Sequence, residues 1–137
     1  MTNVSKDKLT EKDLTKLYAQ MDKFVGKLNT TSSAHFFSEL LGPEERIMLT
    51  KRLAAVAMYA ESNTPYRVWQ LLQVSPSTAD RIYQDFNRGR YEHLVSLMKK
   101  HKKDYEEFWR VLEIILNAGL PPRGRGRWKS VFDKLHT

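Results

Sequence analysis

Two proline-initiated helix starts, Thr64-Pro65 and Ser75-Pro76, stand 11 residues apart and constrain this chain more than any other feature. Thr and Ser are good N-caps, and proline at the first helical position gives up only an N–H that has no intrahelical partner. One helix, TPYRVWQLLQ, must therefore begin and end within that interval, leaving Gln73-Val74 as almost the whole connection to SPSTADRIYQDFNR. Val68, Leu71, Leu72, Val74, Ala79, Ile82 and Phe86 recur at helical spacing and read as core residues locking the pair together. This is the length signature of a helix-turn-helix, which holds its second helix where it can enter a DNA major groove. Helix pairs of this size also occur in all-α domains that never touch nucleic acid, and this turn lacks the glycine that many use. Shape and function are therefore separate inferences.

The remaining chain also reads as helices. Residues 9–28 place Leu14, Leu17, Tyr18, Met21, Phe24, Val25 and Leu28 on one stripe, behind Thr10 and Asp13 as a capping pair. A polar break follows at residues 29–33, then a short apolar helix at 35–41 stopped by Gly42-Pro43. Pro43 opens the longest helix, expected over residues 43–62, with Glu44 and Glu45 in the first turn where the macrodipole favours anions. Its apolar residues surround most of its circumference, which makes it the expected central helix and points to a partner subunit. Residues 87–90 form a candidate cap and turn, and residues 91–98 a helix apolar on one face. The basic run Lys99-Lys100-His101-Lys102-Lys103 then leads to an amphipathic helix over 104–117. The last stretch is RGRGRWKSVFDKLHT, with Trp128, Val131, Phe132 and Leu135 at helical spacing. No strand-like alternation appears, so the expected class is all-α, with a main domain over residues 1–118 and a Gly/Arg-rich arm with a short terminal helix over 119–137.

Absent chemistry narrows the function. The chain has no cysteine, which excludes disulfides, thiolate metal sites and cysteine nucleophiles. No apolar run approaches the roughly 20 residues of a membrane span, and the start lacks a signal-peptide core, so the expected compartment is the cytoplasm. His35, His93, His101 and His136 are scattered, without a metalloprotease, P-loop or nucleophile-elbow pattern. The expectation is a protein that is not an enzyme and holds no metal or cofactor. The net charge of +7 suits a polyanionic partner. Its location is uneven: +1 over residues 1–42, +1 over 43–88 and +5 over 89–137. Electrostatic grip should come largely from the last third.

With the elements in this order, the chain resembles the Trp repressor family over roughly residues 9–117, if 91–101 is taken as an insertion. The specific part is residues 36–81. It includes Leu40-Leu41-Gly42-Pro43-Glu44-Glu45-Arg46 and Leu49-Thr50-Lys51-Arg52-Leu53, and residues 105–117 look like the family's closing helix. The resemblance implies a Trp repressor-like helix-turn-helix fold, with the helix-turn-helix at 64–88, and an intertwined homodimer. In tryptophan-responsive members two arginines sandwich the ligand's indole, and Arg52 and Arg81 match those positions. The glycine that follows the second arginine is Ile82 here, whose side chain would fill the pocket. Neither tryptophan nor another small-molecule effector is expected. Arg52 and Arg81 read more simply as solvated residues, or as ion-pair partners of Asp85 or Glu45.

Candidate base and phosphate contacts are Tyr66 and Arg67 on the first short helix, and Ser75, Ser77, Thr78, Asp80, Arg81, Gln84 and Arg88 on the second. Ser and Thr suit phosphates or base edges, Arg suits guanine and Gln adenine. Asp80 is repelled by DNA unless it accepts from a cytosine amino group, and Tyr66 stands where DNA-contacting family members place an arginine. Pro122-Arg123-Gly124-Arg125-Gly126-Arg127 resembles an AT-hook, which would lay Arg123, Arg125 and Arg127 in an A·T-rich minor groove. The same segment also reads as a connector to a docked terminal helix. The leading expectation is a dimeric, sequence-preferring duplex DNA-binding regulator of transcription. Its alternatives are a protein-interaction adaptor, for which an exposed Trp69 would speak, and an RNA or single-strand binder using the arm, with Trp128 stacking on bases.

Overall fold

Capping chemistry places most of the helix boundaries. The computed structural model describes residues 9–119, and every regular element among them is a helix. The first, α1 (Glu11–Gly26), opens at Thr10, whose hydroxyl accepts from the Asp13 N–H at 3.1 Å. Next comes α2 (Thr30–Leu40), which starts earlier than the polar run suggested. Asn29 Oδ1 accepts from the Ser32 N–H, and Ser32 Oγ accepts from the Asn29 N–H, each at 2.8 Å. That reciprocal capping box turns the expected break at 29–33 into a helix start.

Pro43 opens α3 (Pro43–Ala60), where Glu45 Oε1 accepts from the Gly42 N–H at 2.7 Å. This helix stops short of the expected residue 62 because Ser62 turns left-handed at φ 67°. The Asn63 N–H then reaches back to the Met58 carbonyl at 3.0 Å, closing a Schellman-type end. Thr64 and Ser75 cap α4 (Pro65–Leu72) and α5 (Pro76–Asn87) by accepting from the N–H groups of Arg67 and Thr78. Gly89, at φ 88°, ends α5 and leads into α6 (Glu92–Lys100). His101 alone separates α6 from α7 (Lys102–Gly119).

The chain divides into two compact units, one ending at Arg46 and one beginning at Ile47. In the first, the Phe24 ring of α1 lies 5.5 Å from that of Phe36 on α2. Neither helix contains a fully buried residue. Leu17, Tyr18, Met21, Phe24 and Val25 form an apolar stripe along α1, and all are exposed.

The second unit is built on the later half of α3, where every residue from 54 to 59 is buried. Alanines at 54, 55 and 57 keep that segment narrow, so neighbours can surround it. Val68 and Leu71 come from α4, Val74 from the turn, Ala79 and Ile82 from α5, and Leu112 from α7. Burying side chains such as Met58, Val56 and Val68 contributes about 1.5–3 kcal/mol each. The earlier half of α3 is different: Ile47, Met48, Leu49 and Leu53 remain exposed. Wrapping of the central helix, expected along its length, is therefore confined to its last turns.

Candidate nucleic-acid interface

The α4–α5 connection turns on Gln73, which adopts the left-handed conformation at φ 58°, ψ 48°. Its N–H donates to the Trp69 carbonyl at 3.1 Å and closes α4. A side chain in this region costs about 1–2 kcal/mol, which is why many such turns use glycine. Here Lys51 Nζ, from α3, donates to the Gln73 carbonyl at 3.0 Å and holds the turn. The run at residues 49–53 contains Lys51 but gives it no role in the sequence, since that role depends on a contact 22 residues away.

Burial divides α5 into two faces. Ala79 and Ile82 are buried, and Tyr83 and Phe86 pack against the core. Ser77, Asp80, Arg81, Gln84 and Arg88 are exposed along the other side, while Thr78 is half-buried. The Ser75 hydroxyl accepts from the Thr78 N–H, donates to Thr78 Oγ1 at 2.8 Å and lies 3.1 Å from Ser77 Oγ. Gln84 Nε2 donates to Asp80 Oδ2 at 2.7 Å. The inward side of α5 is tied to α3, because Tyr59 Oη donates to the Ala79 carbonyl at 2.7 Å. Burial, then the Asp80 carboxylate and Tyr83, pushes the Tyr59 phenol up to about 12. Sequence reasoning missed Tyr59 as it missed Lys51, reading it only as part of an apolar helix.

On α4, Tyr66 is 59% exposed and meets Trp69 edge-on at 5.1 Å. Its hydroxyl accepts from Gln70 Nε2 at 2.7 Å, so its own proton remains available to an acceptor. Arg67 is half-buried. Trp69 is half-buried and packs against the core, so it does not provide the exposed surface considered above.

Arg52 and Arg81 are exposed, and neither has a carboxylate within ion-pairing distance among the described residues. Asp85 pairs instead with Arg90 at 3.7 Å, and Glu45 caps Gly42. Ile82 is 4% exposed and belongs to the core, so its side chain occupies the interior beside Arg81. Arg123, Arg125, Arg127 and the terminal helix expected around Trp128 lie outside the described residues.

Lys99, Lys100, Lys102 and Lys103 are exposed around the α6–α7 joint, with Lys102 3.8 Å from Glu106. Beside them an open cleft of about 400 Å³ runs along Tyr105 and Trp109. Tyr105 Oη donates to Glu61 at 2.9 Å, and Trp109 Nε1 donates to Glu113 at 2.8 Å. Burial, reinforced by Glu61, pushes the Tyr105 phenol well above its ordinary value. The described residues contain no group of three or more His, Asp or Glu placed to hold a metal ion. None of their helices is long and apolar enough to cross a membrane. No protein-family model, curated protein or solved structure matches this chain.

Proposed function

We propose that this protein is a homodimer of Trp repressor-like fold that binds duplex DNA and regulates transcription, reading bases with α5. The observation that carries this reading is the two-sided character of α5. One side is fastened to the buried segment of α3 through Tyr59 and Ala79, and the other presents Ser77, Asp80, Arg81, Gln84 and Arg88 to solvent. A recognition helix needs this combination: a rigid back, so that ordering costs little on binding, and a polar front able to reach base edges. The left-handed turn at Gln73 gives the pair the short connection of a helix-turn-helix. Arg81, Arg88 and the lysines at 99–103 supply cations for phosphates.

Dimerisation is supported by apolar surface that no other described residue covers. The α1 stripe and Ile47, Met48 and Leu49 of α3 would lose about 25 cal/mol per Å² of unfavourable hydration on being covered. A two-fold dimer would place two α5 helices about one DNA turn apart. Ile82 stands against an indole ligand between Arg52 and Arg81, so an amino-acid corepressor is not part of this proposal. The test is binding of the full chain to duplex DNA at about 50 mM salt, where counterion release favours association. Failure to bind any duplex there would overturn it.

The exposed Tyr66 and the acidic Asp80 favour a second reading, in which the same surface docks a protein. Replacing both Arg81 and Gln84 by glutamate, which reverses one charge and adds another, separates the two. A DNA reader loses its sequence preference, whereas an adaptor has none to lose.

A further inference from the structure

The exposed face of α5 has a polarity unusual for a DNA reader. Asp80 and Gln84 stand one turn apart, both exposed, and Gln84 Nε2 donates to Asp80 Oδ2 at 2.7 Å. The direction of that bond is set by chemistry, because an ionised carboxylate can only accept. It therefore also fixes the amide: one N–H is held by Asp80, while the second N–H and the carbonyl oxygen remain open. The pair offers the remaining lone pairs of Asp80 and Gln84 Oε1 against one amide N–H, so acceptors predominate, with a full negative charge beside them. Glutamine used alone reads adenine by donating to N7 while accepting from N6. With a carboxylate at hydrogen-bond distance from the donor, the N7 lone pair would meet negative charge.

The four bases differ sharply in how they meet such a pair. In the major groove guanine presents two acceptors, thymine an acceptor and a methyl group, and adenine an acceptor beside its donor. Cytosine alone presents a donor, the N4 amino group, and no acceptor of its own. We propose that Asp80 selects a cytosine in each DNA half-site, with Gln84 as the positioning residue that aims its carboxylate. This rests on the DNA-reading function proposed above and assigns that site its base preference. Three features of the surroundings agree with it. Among the described residues Asp80 has no cation within ion-pairing distance, so none of them neutralises its charge. Arg81 and Arg88 flank the pair along the exposed face and can hold phosphates while Asp80 faces the bases. The backbone beneath is fixed, since the neighbouring Ala79 carbonyl is bonded to Tyr59.

Selection from a random duplex library, followed by affinity measurements, tests the inference with full-length wild type, Asp80→Asn and Gln84→Ala. The wild type should enrich a two-fold-symmetric site with one cytosine common to both halves. Replacing that cytosine by thymine should weaken binding by roughly 5- to 150-fold, the range for one well-made base contact. Asp80→Asn should lose discrimination at that position alone, keep the rest of the site and bind DNA at least as tightly, having shed a negative charge. Gln84→Ala should reduce the same discrimination while enriching the same site. A wild-type site with no shared cytosine, or an Asp80→Asn variant that discriminates as well as wild type, would overturn the role of Asp80 and leave DNA reading intact. A wild type that enriches no site would overturn both.

Discussion

Tyr59 on α3 donates its phenolic proton to the carbonyl of Ala79 on α5 at 2.7 Å, joining the buried segment of α3 to a helix whose other face is polar and exposed. The Tyr59 ring also lies 5.0 Å from Tyr83 and 6.0 Å from Phe86, so α5 is held through both its backbone and its apolar side. Removing only the hydroxyl isolates the hydrogen bond. Tyr59→Phe should cost about 1 kcal/mol, seen as a lower urea midpoint with an unchanged slope. An unchanged midpoint would mean that the bond adds nothing to stability.

The same tyrosine makes stability depend on alkaline pH. Its folded-state value of about 12 exceeds the unfolded phenol's 10, so the unfolded chain releases this proton first. The stabilisation is complete below pH 10 and is lost as pH rises through 12. The loss should approach about 1.4 kcal/mol per pH unit for this group, with Tyr105 acting in the same direction. Urea midpoints measured from pH 8 to 12 should stay level with respect to these groups and then fall. Tyr59→Phe and Tyr105→Phe should each reduce the fall; a slope that survives undiminished in the double variant would assign it to other groups.

Gln73 stores backbone strain that glycine would relieve. Gln73→Gly should raise stability by about 1 kcal/mol, because φ 58° carries no Cβ penalty in glycine. Lys51→Met should lower stability by a similar amount, since the Gln73 carbonyl loses its charged donor. Thermal unfolding of the two single variants and the double variant checks both. The lysine effect should persist in the double variant, as the bond is to the backbone.

Exposed cations on α5 should show themselves in salt dependence. Arg88→Ala should weaken binding to all duplexes about equally and reduce the slope of log affinity against log salt by about one, as expected for a phosphate contact. Arg81→Ala should do the same if it holds phosphate, and instead relax one base position if it reads a base. Unchanged affinity and slope in both variants would remove this face from the interface.

The apolar stripe on α1 bears on self-association. Wild type should sediment as a dimer at micromolar concentration, and Leu17→Asp with Met21→Asp should shift it to monomer, because buried carboxylates without partners are strongly disfavoured. A monomeric wild type at about 100 μM would overturn the homodimer.

Local chemistry made much of this architecture readable. Thr10, Thr64 and Ser75 cap the helices they precede because an N-cap bond spans three residues and needs no distant partner. The apolar positions of α5 packed inward as their spacing required, leaving the predicted contact residues Ser77, Asp80, Arg81, Gln84 and Arg88 exposed. The polar run at 29–33 is a helix start and not the expected break, because composition alone does not distinguish a loop from a capping box. That distinction lay in the Asn29–Ser32 spacing, which was present in the sequence.

Other features depended on contacts between distant residues. Nothing in the composition of α3 separates exposed Leu49 and Leu53 from buried Val56 and Met58; only the last turns are surrounded by α4, α5 and α7. The turn at Gln73 is held by Lys51, which reaches its carbonyl across 22 residues. Tyr59 fastens α5 because folding brings it to a carbonyl 20 residues away. Helix periodicity and capping are properties of neighbours along the chain, so they are written in it directly. Burial and long-range hydrogen bonds are properties of neighbours in space, and they existed only once α4, α5 and α7 had packed around α3.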